Sequence, residues 1–504
     1  MKTRAIKLIS LTLALLMCVA VFAACKKDGE TAESSEDSAS STVETVIGED
    51  GERYDANGYL MDDLPEKADF GGLQMTVYMW EEQKAWEFVD TTTYPTALVD
   101  QALYKREINI EERFNIKIDY FTQKGSWDFR DSFIQTLSNS VLVNDQAYDL
   151  VGQYTATTGH GVSQGLYLDL NTLENINTEK PWWPKHISSS STLNGKLFAL
   201  TGDISPTLIR NVQCMYVNTD LYESYNVAQR DKSNRSIYEI VRNYDWTLEN
   251  MKVLALGYIN NEGIEESEKM YGLSILNSTA PDGFLYSGGF KMVEDKDGKI
   301  QISEDVGTLK FSNWFDDVHE LFQEKHQDIY YIGAATSGAG VFQTNRAIFY
   351  TGNVSDSQNF AQRGVQFSIL PMPMRDKDQG AYYTMGSFWV TMWTAPIDVK
   401  DKAMSGLLLE ALGSEAYRTV TDEIYYNLFQ TRYNSGGNED SAEMFDIVSD
   451  SVVFDASRIF QKDMGCFGAF RTAIQDPESS WTSVYDSNYK TWKGNLTSLI
   501  AKIG

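Results

Sequence analysis

Apolar positions change their period along this chain, and each change marks an element. An unbroken apolar run from Leu8 to Ala24, interrupted only by Ser10 and Thr12, follows the basic start Met1-Lys-Thr-Arg-Ala-Ile-Lys7. That order describes an export signal, and the run is at the short edge for a membrane span. Residues 26–41 then carry almost nothing to bury and many charges, which predicts a disordered stretch. Leu73-Gln-Met-Thr-Val-Tyr-Met79 alternates and predicts a first strand ending at Trp80-Glu81. From Pro95 the period becomes helical, with Val99, Leu103, Ile110 and Phe114 on one face and Arg106 interrupting it. Asn115 to Phe121 alternates again, so strand, helix and strand make a βαβ unit whose ligand crevice opens at the strands' carboxyl ends.

The same reading continues downstream. Asp128 to Asn139 fits a helix, and Ala147 to Gly152 a third strand with Gln153 and Tyr154 at its tip. Lys196 to Leu200 and Leu208 to Val217 read as strands around a turn rich in Gly, Asp, Ser and Pro, and the second leads into a helix capped at Asn218 or Thr219. Thr247 is a further cap, and Thr308 to Gln323 is amphipathic with Phe311, Phe315, Val318 and Phe322 inward. Asp401 to Val420 is helical. Residues 50–65 form a turn-rich lead-in, and Asp297-Gly298 between two β-like runs predicts a hairpin rather than a calcium loop. The chain beyond the leader is longer than one core supports, and two lobes are expected.

Composition narrows the function. Acids outnumber bases 71 to 43 for a net charge of -28, and losing Lys2, Arg4 and Lys7 with the leader makes it more negative. This argues against nucleic acid or anionic lipid as a partner of the folded body. Of four cysteines, Cys18 lies in the leader and Cys25 follows it, so only Cys214 and Cys466 remain, as buried thiols or, alternatively, as a disulfide. Four histidines are scattered, and His319 and His326 stand about 10 Å apart along a helix, too far to share a metal. No Gly-x-Ser-x-Gly, His-Glu-x-x-His or phosphate-loop pattern supports an enzyme. A secreted carbohydrate-active hydrolase stays open as the alternative, because pairs of acids are too numerous to exclude it.

Several stretches resemble one family. Gly195-Lys-Leu-Phe-Ala-Leu200 followed by Met215-Tyr-Val-Asn-Thr-Asp-Leu221 is similar to the first crossover of the extracellular solute-binding proteins of sugar-type bacterial ABC importers. Gly165-Leu-Tyr-Leu-Asp-Leu170, Asp245-Trp-Thr-Leu-Glu249, Phe342 to Asn353, Phe367 to Pro373, Gly386 to Met392 and Met464 to Ile474 match later segments in the same order, although Asn345 replaces a usual Gly. Phe22-Ala-Ala-Cys25 looks like a bacterial lipobox, with Phe22 departing from the usual Leu; an uncleaved anchor or a plain secretory signal is the alternative.

The resemblance implies a periplasmic-binding-protein-like type II fold, two α/β lobes joined by a multi-strand hinge over a ligand cleft. It implies a signal peptide over 1-24, a tether over 25-51, lobe 1 over 70-204 completed by about 371-415, and lobe 2 over 205-370 completed by about 416-504. The expected function is capture of a small hydrophilic solute, a mono- or oligosaccharide, by a monomer anchored through lipid on Cys25 at the outer face of the cytoplasmic membrane. The solute would pass to the ABC permease without a cofactor or metal; a peptide or polyamine ligand, or output to a sensor, are the variants. Cleft-facing candidates are Trp80 and Tyr154 at strand tips, Asp203 and Arg210 beside the crossover, and Asn353, Trp389 and Phe467 by motif position. Sugar sites need flat rings and short polar groups.

Overall fold

A computed structural model describes residues 45–296, 298–323, 326–333, 340–424 and 439–504. The leader and most of the expected tether lie outside them. The main elements, in chain order, are β1 (Leu73–Trp80), α1 (Leu98–Phe114), β2 (Ile116–Gln123), α2 (Arg130–Val143), β3 (Leu150–Tyr154) and α3 (Thr155–Ser163). They continue with β4 (Gln213–Asn218), β5 (Tyr271–Leu276), α4 (Ala280–Ser287), α5 (Leu309–Gln323), β6 (Ile329–Ile332), β7 (Ala347–Asn353) and β8 (Phe367–Leu370). After β9 (Thr391–Thr394) come α6 (Lys402–Thr421), α7 (Glu439–Asp450), α8 (Ala469–Gln475) and α9 (Trp481–Ile503).

These strands form two principal sheets. The first has the order β9-β3-β1-β2, the second β6-β5-β7-β4-β8. In the first, β1 lies parallel between β2 and β3, with Tyr78 opposite Phe121 on one side and Val151 on the other. The incoming β9 runs antiparallel to β3, pairing Thr391 with Tyr154. Helices cover both faces, so alternation fades where the sheet is deepest: Met75, Val77, Tyr78, Met79 and Trp80 are all buried. In the second sheet β5, β6 and β7 are parallel, while β4 pairs antiparallel with both β7 and β8.

The chain passes from the first sheet to the second between β3 and β4 and returns between β8 and β9. After that α6 packs on α1 of the first lobe, whereas α7 packs on β8 of the second. Ser441 Oγ and Ser368 Oγ lie 3.0 Å apart at that contact. Neither lobe is therefore one continuous stretch of chain.

Local signals hold closely at the caps. Asn218 Oδ1 accepts from Leu221 N–H at 3.0 Å, Thr247 Oγ1 from Asn250 N–H at 3.2 Å, and Asp401 caps α6 through Ala403 and Met404 N–H. The Asp-Gly hairpin pairs Val293–Lys296 with Lys299–Ile302, and Asp295 Oδ1 accepts from Gly298 N–H at 2.7 Å. Cys214 and Cys466 are both buried and free.

Two strand readings need correction. Leu208 to Arg210 is not the start of a strand but the end of a helical turn, Thr207–Arg210, and β4 begins only at Gln213. Pro206, at φ -53, sets the chain into αR geometry there. Lys196 to Leu200 is strand only over Lys196–Leu197; β9 starts at Thr391, which leaves Trp389 in the approach to it.

Candidate functional site

β1 and β3 are parallel neighbours, so their carboxyl ends bring Trp80 and Tyr154 together, with ring centroids 5.4 Å apart. The approach to β9 adds Trp389, 5.7 Å from Trp80 and 5.9 Å from Tyr154. Phe388 lies 6.0 Å from Tyr154 and 5.1 Å from Phe467, which closes the chain of rings. Four of the residues expected in the cleft, Trp80, Tyr154, Trp389 and Phe467, thus belong to one cluster, with Phe388 as the link. Trp80 and Phe467 are wholly buried and back the cluster, whereas Trp389 is 39% exposed and forms its solvent edge.

A buried polar network fixes this platform from below. Trp80 Nε1–H donates to Thr391 Oγ1 at 2.8 Å, and that hydroxyl donates to Glu87 Oε1 at 2.6 Å. Thr207 Oγ1 reaches the same oxygen at 2.5 Å, while Ser205 Oγ donates to Glu87 Oε2 at 3.1 Å and accepts from Trp393 Nε1–H at 2.6 Å. Burial pushes the Glu87 carboxyl up to about 7, with the three hydroxyls opposing it. Arg106 holds the network in place. Its Nη1 donates to Ile204 carbonyl oxygen at 3.0 Å, its Nη2 to the Glu87 carbonyl, and its Nε to Glu107 Oε1 at 3.1 Å. The apparent interruption of the α1 face by Arg106 is therefore an inward, fully buried support for the crossover.

Cations gather on the other side of the rings. Burial raises the Tyr154 hydroxyl to about 12, against the charges of Arg458, Arg471 and Arg130, with Asp128 the opposing acid. Arg458 lies 4.1 Å over the Phe388 ring and 4.9 Å from that of Phe467. Arg471, 5.8 Å from Phe467, is paired with Asp282 of α4, Nε to Oδ1 at 3.1 Å. The Arg458 segment is seated on α3 by a close approach: a Cβ on Gly159 would come within 2.3 Å of the Ile459 carbonyl oxygen, so only glycine fits. The site thus draws on β1, β3, the approach to β9, and the C-terminal segment facing α4. Arg458, Arg471, Phe388 and Asp282 escaped the sequence reading. Phe388 adjoins Trp389 and Arg471 lies inside a quoted motif; for Arg458 and Asp282 the sequence carried no signal.

The remaining candidates lie elsewhere. Asp203 lines a cavity of about 180 Å³ with His186, Pro206, Leu208, Val420 and Ile424, a lining that contains none of the rings. Its carboxyl is fully buried and pushed up to about 7, and Thr421 Oγ1 donates to it at 2.5 Å. Arg210 stacks 4.2 Å over Trp86, and its carbonyl accepts from Ser355 N–H at 2.8 Å. Asn353 N–H donates to Asp356 at 3.0 Å and its carbonyl accepts from Tyr216 at 2.6 Å. Asp356, buried and raised, also feels the charge of Arg210, so Arg210 and Asn353 form a second group at the lobe 2 end of the crossover.

No family model and no curated protein match the sequence. Solved structures do. The galacto-N-biose-/lacto-N-biose I-binding protein of the ABC transporter from Bifidobacterium longum, in complex with lacto-N-biose, aligns with a TM-score of 0.54 at 12% identity, covering 86% of this chain and 98% of that one. The GacH receptor of Streptomyces glaucescens, solved unliganded and with acarbose, gives 0.52 at 12% identity over 84% and 99%. UgpB from Mycobacterium tuberculosis with glycerophosphocholine gives 0.52 at 13% over 85% and 99%. These likenesses establish the fold, the two-lobed α/β architecture of periplasmic binding proteins. The neighbours are binding proteins rather than enzymes.

Proposed function

We propose that this chain is the substrate-binding lipoprotein of an ABC importer, and that it captures a mono- or oligosaccharide between its lobes and hands it to a membrane permease. The observation that carries this reading is the ring cluster at the carboxyl ends of β1 and β3, with Trp389 exposed at its edge and polar groups around it. Open α/β sheets place ligands at those strand ends, and stacked rings suit the C–H faces of sugars. The lobes are divided at residues 70-204 with about 371-415, and 205-370 with about 416-504. The crossover between them absorbs their rotation while a ligand touching both sides favours closure. Trp80, Tyr154, Trp389 and Phe467 serve as the platform, with Asp203, Arg210 and Asn353 flanking the crossover. Cys25 carries the lipid and residues 25-51 tether the body outside the membrane.

Isothermal titration against a saccharide panel, read alongside tryptophan fluorescence, tests this. Heat and a spectral change that Trp389→Ala removes are the expected result. Silence across neutral and acidic saccharides at millimolar concentration would remove the sugar assignment.

A further inference from the structure

Arg458 is fully buried, and its Nε and Nη2 have no hydrogen-bond acceptor among the described residues. Its Nη1 meets the Met385 sulfur, at 2.6 Å. The nearby acid is Asp455, but that carboxylate already accepts from Met292 and Ser457 N–H, at 2.6 and 2.8 Å. The buried Tyr286 hydroxyl lies beside the guanidinium and, with Asp455, helps it keep its proton against burial. A guanidinium cannot shed its proton under ordinary conditions, so burial with two of its donors unmatched is costly and is kept only where something repays it.

The position of this group says what would repay it. Arg458 rests on Phe388 and Phe467, at the inner end of the ring cluster. Arg471 beside it is paired with buried Asp282, so that guanidinium is taken, whereas Nε and Nη2 of Arg458 are not. Nε and Nη2 are the two donors along one edge of the guanidinium fork, the edge that matches the two oxygens of a carboxylate.

We infer that the ligand is an acidic saccharide, whose carboxylate pairs with Arg458 while its ring packs against the aromatic cluster. This rests on the sugar-receptor reading above and sharpens it from saccharides in general to those carrying a single acidic group.

The test is titration of the full chain with a galacturonate disaccharide, with its carboxyl-reduced neutral counterpart and with glucose 6-phosphate, on wild type, Arg458→Met and Arg458→Gln. The galacturonate form should bind about 10–100-fold more tightly than the reduced form, and both substitutions should abolish that preference. Thermal unfolding of each variant shows that it is folded, and agreement of Met with Gln separates lost charge from lost packing. If the reduced and acidic forms bind alike, or the variants keep the preference, Arg458 is merely hydrated and the inference falls while the receptor reading stands. Tighter binding of the phosphate overturns the carboxylate assignment. Failure of all three ligands and of neutral sugars overturns the receptor reading itself.

Discussion

Around Arg106 every guanidinium nitrogen has a carbonyl or carboxylate oxygen in reach; around Arg458 two of the three have none among the described residues. Both side chains are wholly buried. Their surroundings act in opposite directions: Glu107 and Glu87 raise the affinity of Arg106 for its proton, whereas burial lowers that of Arg458. The first region is complete in the protein alone and stitches the crossover to β9 beneath Trp80. The second leaves two donors unmatched among the described residues. Burial by itself therefore does not separate a structural cation from a functional one, whereas the inventory of its partners does.

Substitutions sharpen this contrast, the largest first. Arg106→Met leaves Glu107 buried without its counter-charge and should cost about 3–5 kcal/mol in urea unfolding. A pH series on Glu87→Gln should show the next effect. Because the Glu87 carboxyl is raised to about 7 in the fold, its neutral form is favoured there; the contribution is fully present below its unfolded value and is lost as pH rises through about 7. The stability of wild type relative to Glu87→Gln should thus fall by about 2–3 kcal/mol between about pH 4 and about pH 8. Arg471→Met strands buried Asp282 and should cost about 1–3 kcal/mol, most of it recovered when Asp282→Leu is added. Arg458→Met should stay within about 1 kcal/mol of wild type, since it removes a buried group whose Nε and Nη2 have no acceptor among the described residues. A loss as large as that of Arg106→Met would erase the distinction between the two regions.

Much of the fold was legible because strand and helix periods are local. β1, α1, β2 and α5 fall where alternation or a 3.6-residue period places them, and Asn218, Thr247 and Asp401 cap where short polar side chains precede apolar runs. The helical turn at Thr207–Arg210 was missed because its apolar residues satisfy either period over so few positions. At the site, Trp80 and Tyr154 were readable from strand ends, which topology brings together. Arg458 was not readable, since its role depends on what is missing around it in space. Asp203 was read from its place beside the crossover, where it lines a cavity with Ser205, Pro206 and Leu208.

The late arrival of β9 bears on how the protein is made. β3 is finished by Tyr154, but the strand that covers its open edge is not reached until Thr391, after the whole second sheet has been synthesised. Through that interval a ribosome-bound or translocating chain would present a bare β edge beside unassembled aromatic side chains, the kind of surface that recruits other strands. Maturation of the first half therefore waits on the second, and a truncation anywhere before Thr391 should yield aggregate in place of a free-standing amino-terminal fragment.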